Sequence, residues 1–207
     1  MFRLLALLVA FALPARAEEP GRFDYYVLSL SWSPSWCSRQ GAAQGSPQCD
    51  RPLGWILHGL WPQHERGYPD YCTTTARDPS RTETAAMADI MGTGGLAWRE
   101  WQKHGRCSGL SAEDYFALSR TAFAKVTRPD VLRQLEGPVR LPARVVEEAF
   151  LEANPALFPD AITITCRADR IQEARICLAR DTLMPRRCGE DVIEDCSLTD
   201  ALLDPID

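Results

Sequence analysis

Two short segments decide the fold of this chain and carry its candidate chemistry: Trp55-Ile56-Leu57-His58-Gly59-Leu60-Trp61-Pro62 and Trp98-Arg99-Glu100-Trp101-Gln102-Lys103-His104-Gly105. They contain two of the three histidines in a chain of 207 residues. Free imidazole titrates near pH ~6.5, so two histidines in one cleft can divide acid and base duties around neutral pH. The sequence therefore predicts one site built from both segments.

The first seventeen residues have the pattern of an export signal. Arg3 provides a positive start, Leu4 to Leu13 is an apolar run, and Ala15-Arg16-Ala17 has small residues at the spacing of a cleavage site. The run is shorter than the ~20 apolar residues of a membrane-spanning helix. We expect cleavage after Ala17, export to the periplasm or the extracellular space, and one domain over residues 18–207.

Charge limits how this chain could bind a polyanion. The whole chain has 23 basic and 28 acidic residues, and removal of Arg3 and Arg16 with the signal leaves 21 against 28, a formal charge of −7. Such a surface repels nucleic acid as a whole. Nucleic-acid binding would need a local basic patch, and the densest one near the histidines consists of Arg99, Lys103 and Arg106.

All eight cysteines follow the predicted signal, and an even number in an exported chain favours four disulfides. The sequence alone leaves 105 pairings open. A zinc site is the alternative, but no C-x2-C pair is present. A bond between Cys72 and Cys107 would join the two histidine segments and would stabilise the fold by ~2–4 kcal/mol.

Hydrophobic spacing predicts both strands and helices. Residues 23–32 and 53–60 have the pattern of buried strands, and the second delivers His58 near its end. Residues 82–105 are predicted as helical with a break at 92–95, so that 96–104 forms a separate helix ended by Gly105. The remaining predicted elements are helices over 111–126 and 142–153, a hairpin of 161–166 with 171–178, and an irregular C-terminal part held by disulfides.

Helical spacing places three titratable side chains together. Glu100 and His104 are four residues apart and Lys103 is three from Glu100, so they share one helix face with about 5–6 Å between neighbouring Cβ atoms. Each taken alone could be an ordinary surface group, and His58 could be a structural residue. Their combination with a second histidine segment favours an active site.

The segments His58-Gly59-Leu60-Trp61-Pro62 and Glu100-Trp101-Gln102-Lys103-His104-Gly105 resemble, in this order, the two signature segments of the ribonuclease T2 family. The resemblance extends over essentially the whole mature chain, including residues 30–37 and 152–155. It implies an α+β fold with a central, mainly antiparallel sheet, surrounding helices and disulfides. It also implies an endonuclease for single-stranded RNA that uses no metal or other cofactor.

The implied reaction uses the 2′-hydroxyl of the RNA as its nucleophile. One imidazole removes the hydroxyl proton, the oxygen attacks the adjacent phosphorus, and the other imidazole protonates the departing 5′-oxygen to leave a 2′,3′-cyclic phosphate. By similarity His104 is the base and His58 the acid, although the sequence does not distinguish the order. Lys103, and Glu100 through hydrogen bonding, would stabilise charge around the five-coordinate phosphorus. DNA lacks the nucleophile and is not an expected substrate.

Residues next to these four are candidates for substrate binding, and two of the neighbouring positions depart from the family pattern. Trp61 could stack on a base, in keeping with low base specificity, or could equally be packed under the strand end, and Gln63 and Tyr68 are weaker base-site candidates. Arg99 stands where the family usually has a histidine, and its fixed charge predicts altered phosphate binding without loss of activity. His64 stands where an aromatic is expected. It could line the mouth of the cleft, but we expect it to face solvent.

The resemblance further implies the disulfides Cys37–Cys49, Cys72–Cys107, Cys166–Cys196 and Cys177–Cys188. Two other functions stay open. One is an inactive binding protein with a ribonuclease fold. The other is a metal-dependent phosphoesterase, to which Lys103 beside the metal is an objection, with the ligands His58, His64, Glu100 and His104. We expect a monomer that binds neither DNA nor a membrane.

Overall fold

The structure is a computed structural model that describes residues 18–193 and 195–206. The export signal predicted over residues 1–17 lies outside this range. Within it, no helix has both the length and the apolar character needed to span a lipid bilayer.

In the described residues, a six-stranded sheet with the order β2-β1-β5-β6-β3 forms the centre of the fold, and β4 pairs with β5 beside this path. All pairs are antiparallel except β5 with β6. The strands are β1 (Tyr25–Trp32), β2 (Trp55–Gln63), β3 (Val139–Leu141), β4 (Ile162–Arg167), β5 (Arg170–Ala179) and β6 (Ala201–Leu203). The predicted α+β class with a mainly antiparallel sheet is confirmed.

Six α-helices of the described chain surround this sheet: α1 (Ser33–Trp36), α2 (Arg81–Ala85), α3 (Ala88–Met91), α4 (Gly94–Lys103), α5 (Ala112–Lys125) and α6 (Ala143–Ala153). The predicted helices over 111–126 and 142–153 correspond closely to α5 and α6. The predicted break at 92–95 is present but shorter, because α4 already begins at Gly94. Gly92 has φ +82° after α3, and the hydroxyl of Thr93 caps α4 by accepting from the backbone N–H of Leu96 at 3.1 Å.

The expectation that Gly105 forms the C-cap of α4 is wrong. The helix ends at Lys103, and Gly105 begins a 3-10 turn whose last residue is followed by Gly109 at φ +77°. A Cβ at Gly105 would lie 2.5 Å from Trp101 and 2.9 Å from the ring of Tyr115. Close packing against two aromatic rings therefore requires a glycine at this position. The backbone conformation of residue 105 does not require one.

The two faces of the sheet are covered unequally. One face packs against the helices in the main core, where Leu28, Leu30 and Ile176 of the strands are fully buried. A smaller apolar cluster that includes Val27 and Cys177 lies on the other face. Because β1 is paired on both edges and covered on both faces, nearly all of its residues are buried, and its sequence alternates only weakly.

Four disulfides join loops to this framework, and they are the pairs that the family resemblance implies: Cys37–Cys49, Cys72–Cys107, Cys166–Cys196 and Cys177–Cys188. The second ties the loop after β2 to the turn after α4. The last two tie the irregular C-terminal part to β4 and β5.

Candidate active site

A β-bulge in β2 directs His58 to the less covered face of the sheet. Strand β1 pairs Ser29 with Gly59 and Leu30 with Leu57, so His58 is the extra residue between them. The bulge resets the alternation, and Leu57 and Leu60 are both fully buried in the main core. His58 points the other way, with 31% of its side chain exposed.

Gly59 leaves room beside His58 for two side chains. The indole Nε1–H of Trp61 donates to Oε2 of Glu100 at 2.7 Å. A Cβ on Gly59 would lie 2.3 Å from each of these two atoms. The contact between β2 and α4 therefore depends on a glycine at this position.

Helix α4 presents the three groups that its spacing predicts. Glu100 and His104 are buried, and Lys103 is partly exposed. Together with His58 they line a cleft of about 360 Å³. The structure thus brings both histidines, the carboxylate and the lysine to one place.

His58 lies between two carboxylates. Its Nδ1 is 2.6 Å from Oε1 of Glu173, and its Nε2 is 3.5 Å from Oε1 of Glu100. Burial acts to lower the pKa of His58, but the hydrogen bond to Glu173 and the charges of Glu100 and Glu173 outweigh it and raise this pKa above its usual value. His58 therefore favours the protonated form.

His104 has the opposite environment. Its ring stacks on Trp61 with the ring centroids 5.1 Å apart and an interplanar angle of 25°, and its buried Nδ1 has no hydrogen-bond partner in the described structure. Burial, followed by the charges of Lys103 and His58, lowers the pKa of His104 to about 3. This imidazole is neutral at neutral pH.

Two residues of this site were not predicted from the sequence, Glu173 and Arg175 of β5. Glu173 is 1% exposed, and its Oε2 accepts from Nε and Nη2 of Arg175 at 2.9 and 2.8 Å. Burial favours the neutral carboxyl, but the hydrogen bonds and charges of His58 and Arg175 hold its pKa at about 2. The available signal was a glutamate and an arginine two residues apart, and therefore on one face of a predicted strand.

Burial raises the pKa of Glu100, against the opposing effects of the nearby His58 charge and the Trp61 N–H. The carboxyl group is therefore easier to protonate than that of Glu173. The site contains one carboxylate that is firmly ionised and another that accepts a proton more readily.

The predicted base-site residues line the same cleft in different ways. Trp61 is packed within the site, stacked on His104 with the guanidinium of Arg175 5.3 Å from its ring centroid. Gln63 is buried in the cleft wall, and Tyr68 is 48% exposed, with its ring 5.4 Å from Nζ of Lys103. Of these three residues, Tyr68 offers the most accessible surface.

Arg99 lies in a second cleft of about 490 Å³, exposed to solvent. This cleft shares His58, Glu100, Lys103 and Glu173 with the first, so the two form one depression around the reactive groups. It is also lined by the exposed side chains of Tyr71, Gln44 and Arg167 and by the partly exposed Gln40.

His64 lies apart from this depression, in a groove of its own. Its nitrogens are 3.6 Å from Glu18 and 3.8 Å from Asp24, and its side chain is about one-third exposed. The four ligands of the metal-dependent alternative are therefore not assembled. Across the described ranges, no three His, Cys, Asp or Glu residues are placed to hold a metal ion.

Comparison with known proteins finds ribonucleases that are similar to this chain in sequence and in fold. A ribonuclease of Aeromonas hydrophila is 41% identical over 141 residues, which cover 67% of this chain and 60% of that protein. A probable ribonuclease of Haemophilus influenzae is 34% identical over 121 residues, covering 52% of this chain and 44% of that protein. The chain thus matches about half of the length of these relatives.

The crystal structure of RNase NT in complex with 5′-AMP has the same fold, with a TM-score of 0.65 over 86% of this chain and 97% of that one at 18% identity. The model of the Ribonuclease T2 family matches residues 23–188, which contain both histidine segments and the strand that carries Glu173. This chain belongs to the ribonuclease T2 family.

Proposed function

We propose that the protein is a metal-independent endoribonuclease that cleaves single-stranded RNA by transphosphorylation and leaves 2′,3′-cyclic phosphate ends. The observation that carries the proposal is the contrast between two histidines in one cleft. His58 is flanked by carboxylates and holds its proton, whereas His104 is buried without an anionic partner and is neutral. One acid and one base are available together, as this reaction requires.

The contrast supports one assignment of roles. His104, being neutral, is the base that takes the proton of the 2′-hydroxyl, and His58, being protonated, is the acid that donates its proton to the departing 5′-oxygen. The opposite assignment needs His104 charged and His58 neutral, which their surroundings disfavour.

Lys103 and Glu100 would act on the charge that develops on the phosphoryl oxygens. Lys103 is one of two lysines in a chain with 21 arginines, and a compact ammonium with rotatable donors can follow a phosphate as its geometry changes. Glu100 is oriented by the Trp61 N–H at 2.7 Å and, when protonated, can donate to a phosphoryl oxygen.

Substrate binding would use both clefts. Tyr68 offers an exposed ring for stacking on a base, Gln63 offers amide groups, and Trp61 supports His104 from within. Arg99 offers a fixed charge to a neighbouring phosphate. Stacking accepts any base, which is in keeping with low base specificity.

We infer that the protein acts as a monomer in an exported, oxidising location, without binding to a membrane. The four disulfides support export, since they persist in oxidising compartments.

The test is digestion of matched RNA and DNA strands by the purified mature protein in the presence of EDTA. We expect cleavage of RNA alone, with a 2′,3′-cyclic phosphate at the new ends, because the attacking oxygen belongs to the ribose. Equal cleavage of the DNA strand, or loss of activity on chelation, would contradict the proposal. A natively folded protein that binds RNA without cleaving it would support the inactive binding protein.

A further inference from the structure

Glu173 is a buried carboxylate to which the acid-base scheme above gives no role. Its two oxygens have separate partners: Oε1 faces His58 Nδ1 at 2.6 Å, and Oε2 accepts two hydrogen bonds from Arg175. Burying an ionised carboxylate is costly unless charged partners compensate for lost hydration. An apolar residue would fill this strand position at lower cost, so the pair calls for a functional explanation.

The sheet register brings these residues together across a neighbouring strand. Glu173 of β5 pairs with Ser31 of β1, and Arg175 pairs with Ser29. On the other edge of β1, the bulge turns His58 toward the same face. The small serines on β1 leave space for longer side chains of β2 and β5, the strands on either side of β1, to meet.

The contact fixes how His58 is presented. With Nδ1 bound to Glu173, Nε2 is the nitrogen that faces Glu100 and the cleft. Because Arg175 holds Oε2, the carboxylate cannot readily rotate away or take the proton itself.

We propose that Glu173, anchored by Arg175, is a positioning residue that holds His58 in a single orientation and keeps it charged, so that Nε2–H is presented to the leaving oxygen. This inference rests on the proposed function for the identity of the leaving group. The hydrogen bond, the orientation of the ring and the charge of His58 are independent of it.

The charged and titratable groups around His58 come from two main directions. Glu173 and Arg175 face it from β5, and the groups of α4 at the site are Glu100, Lys103 and His104. Glu100 remains in place when Glu173 is altered, so the loss of Glu173 should lower the affinity of His58 for its proton without abolishing it.

The first experiment is Glu173→Gln, which keeps the shape and a hydrogen-bond acceptor but removes the charge. The NMR titration of His58 should move to lower pH by about one unit or more. The alkaline limb of kcat/KM should move with it, and kcat at neutral pH should fall about tenfold to a hundredfold, part of the ~10²–10⁴-fold that a general acid contributes. KM should change little. Glu173→Asp, which retains the charge, should keep the His58 titration and the alkaline limb closer to those of the native protein.

Asp204→Asn is the matched control. Asp204, which follows β6, is a partly buried carboxylate that accepts from Arg170 of β5 at 2.7 Å, outside both clefts. The variant Asp204→Asn should leave the titration of His58 and the pH profile of kcat/KM unchanged.

If the loss of Glu173 leaves Arg175 unpaired and prevents folding, the double variant Glu173→Gln/Arg175→Gln removes both charges. The titration of His58 should still move to lower pH, but by less than in Glu173→Gln, because the charge of Arg175 itself lowers the pKa of His58. The native protein gives a further test by ¹⁵N NMR, where neutral His58 should carry its proton on Nδ1. An unchanged titration of His58 in the folded variants, or a neutral form protonated on Nε2, would overturn the role of Glu173. Failure of the native protein to cleave RNA would overturn the proposed function instead, and the titration would still report on the contact.

Discussion

The two sides of the cleft treat their histidines in opposite ways. On the sheet side, His58 has a carboxylate at each ring nitrogen, one of them anchored by an arginine. On the helix side, His104 lies against an indole ring, and its buried Nδ1 has no partner in the described structure. Two side chains of one type thus acquire opposite protonation preferences through their neighbours alone.

The stacked indole also links the two sides. Trp61 follows His58 in β2, stacks on His104 and donates to Glu100. A single side chain therefore contacts both His104 and Glu100, and the guanidinium of Arg175 also lies near its ring.

The largest effect should come from removing either histidine. His58→Ala and His104→Ala should each lower kcat at least ~100-fold, the low end for a general acid or base. His64→Ala, which removes the histidine outside the cleft, should retain activity. Native circular dichroism together with near-native turnover in either cleft variant would show that the histidine concerned is structural.

The pH dependence of kcat/KM should reveal the contrast between the two sides. The pKa of His58 is raised, so the acid form persists below this value and is lost as pH rises through it, which places the alkaline limb above pH ~6.5. The pKa of His104 is lowered to about 3, so the base form is lost only as pH falls toward that value. Activity should fall about tenfold per pH unit beyond each limb.

A steady-state profile at constant ionic strength measures both limbs. An acid limb close to pH ~6.5 would contradict the neutral, unpartnered state of His104. An alkaline limb below that pH would contradict the charged state of His58.

Gly59→Ala tests the contact between the two sides. The added methyl would lie 2.3 Å from Glu100 Oε2 and Trp61 Nε1, so these groups must separate. We expect about 1–3 kcal/mol of lost stability in denaturant unfolding, together with reduced kcat, because the indole contacts both Glu100 and His104. Gly95→Ala in α4 is the control, since its new Cβ meets only Thr93 at 3.9 Å. Equal stability of the two variants would show that the contact adjusts easily.

Arg99 should have the smallest effect, because it is exposed at the edge of the second cleft. Arg99→Ala should raise KM about severalfold and weaken the salt dependence of binding, with little change in kcat. Arg99→His should make KM rise as pH increases past ~6.5, where histidine loses its charge and arginine does not. Superimposable KM profiles for the native protein and Arg99→His, with an unchanged KM in Arg99→Ala, would show that this side chain does not contact the substrate.

Local pattern was sufficient for much of the fold. Helices α5 and α6 and the β4–β5 hairpin follow from spacing and capping signals that act over a few residues. The shared position of Glu100, Lys103 and His104 follows from the pitch of one helix. The break before α4 also follows from local pattern. For Gly105, local pattern predicts a helix C-cap, whereas the structure requires this glycine for the packing of two aromatic rings.

The sequence by itself determined which reactive groups the chain contains, which of them share a helix face, and which family the two segments resemble. Only the tertiary structure decided the bulge that turns His58 to the open face and the meeting of His58 with Glu173, 115 residues later. Helical and strand periodicities are set by neighbouring residues, whereas this contact depends on the registers of two strand pairs at once. The unlike protonation of the two histidines follows from that arrangement, because burial and partner charges arise only when distant segments pack together.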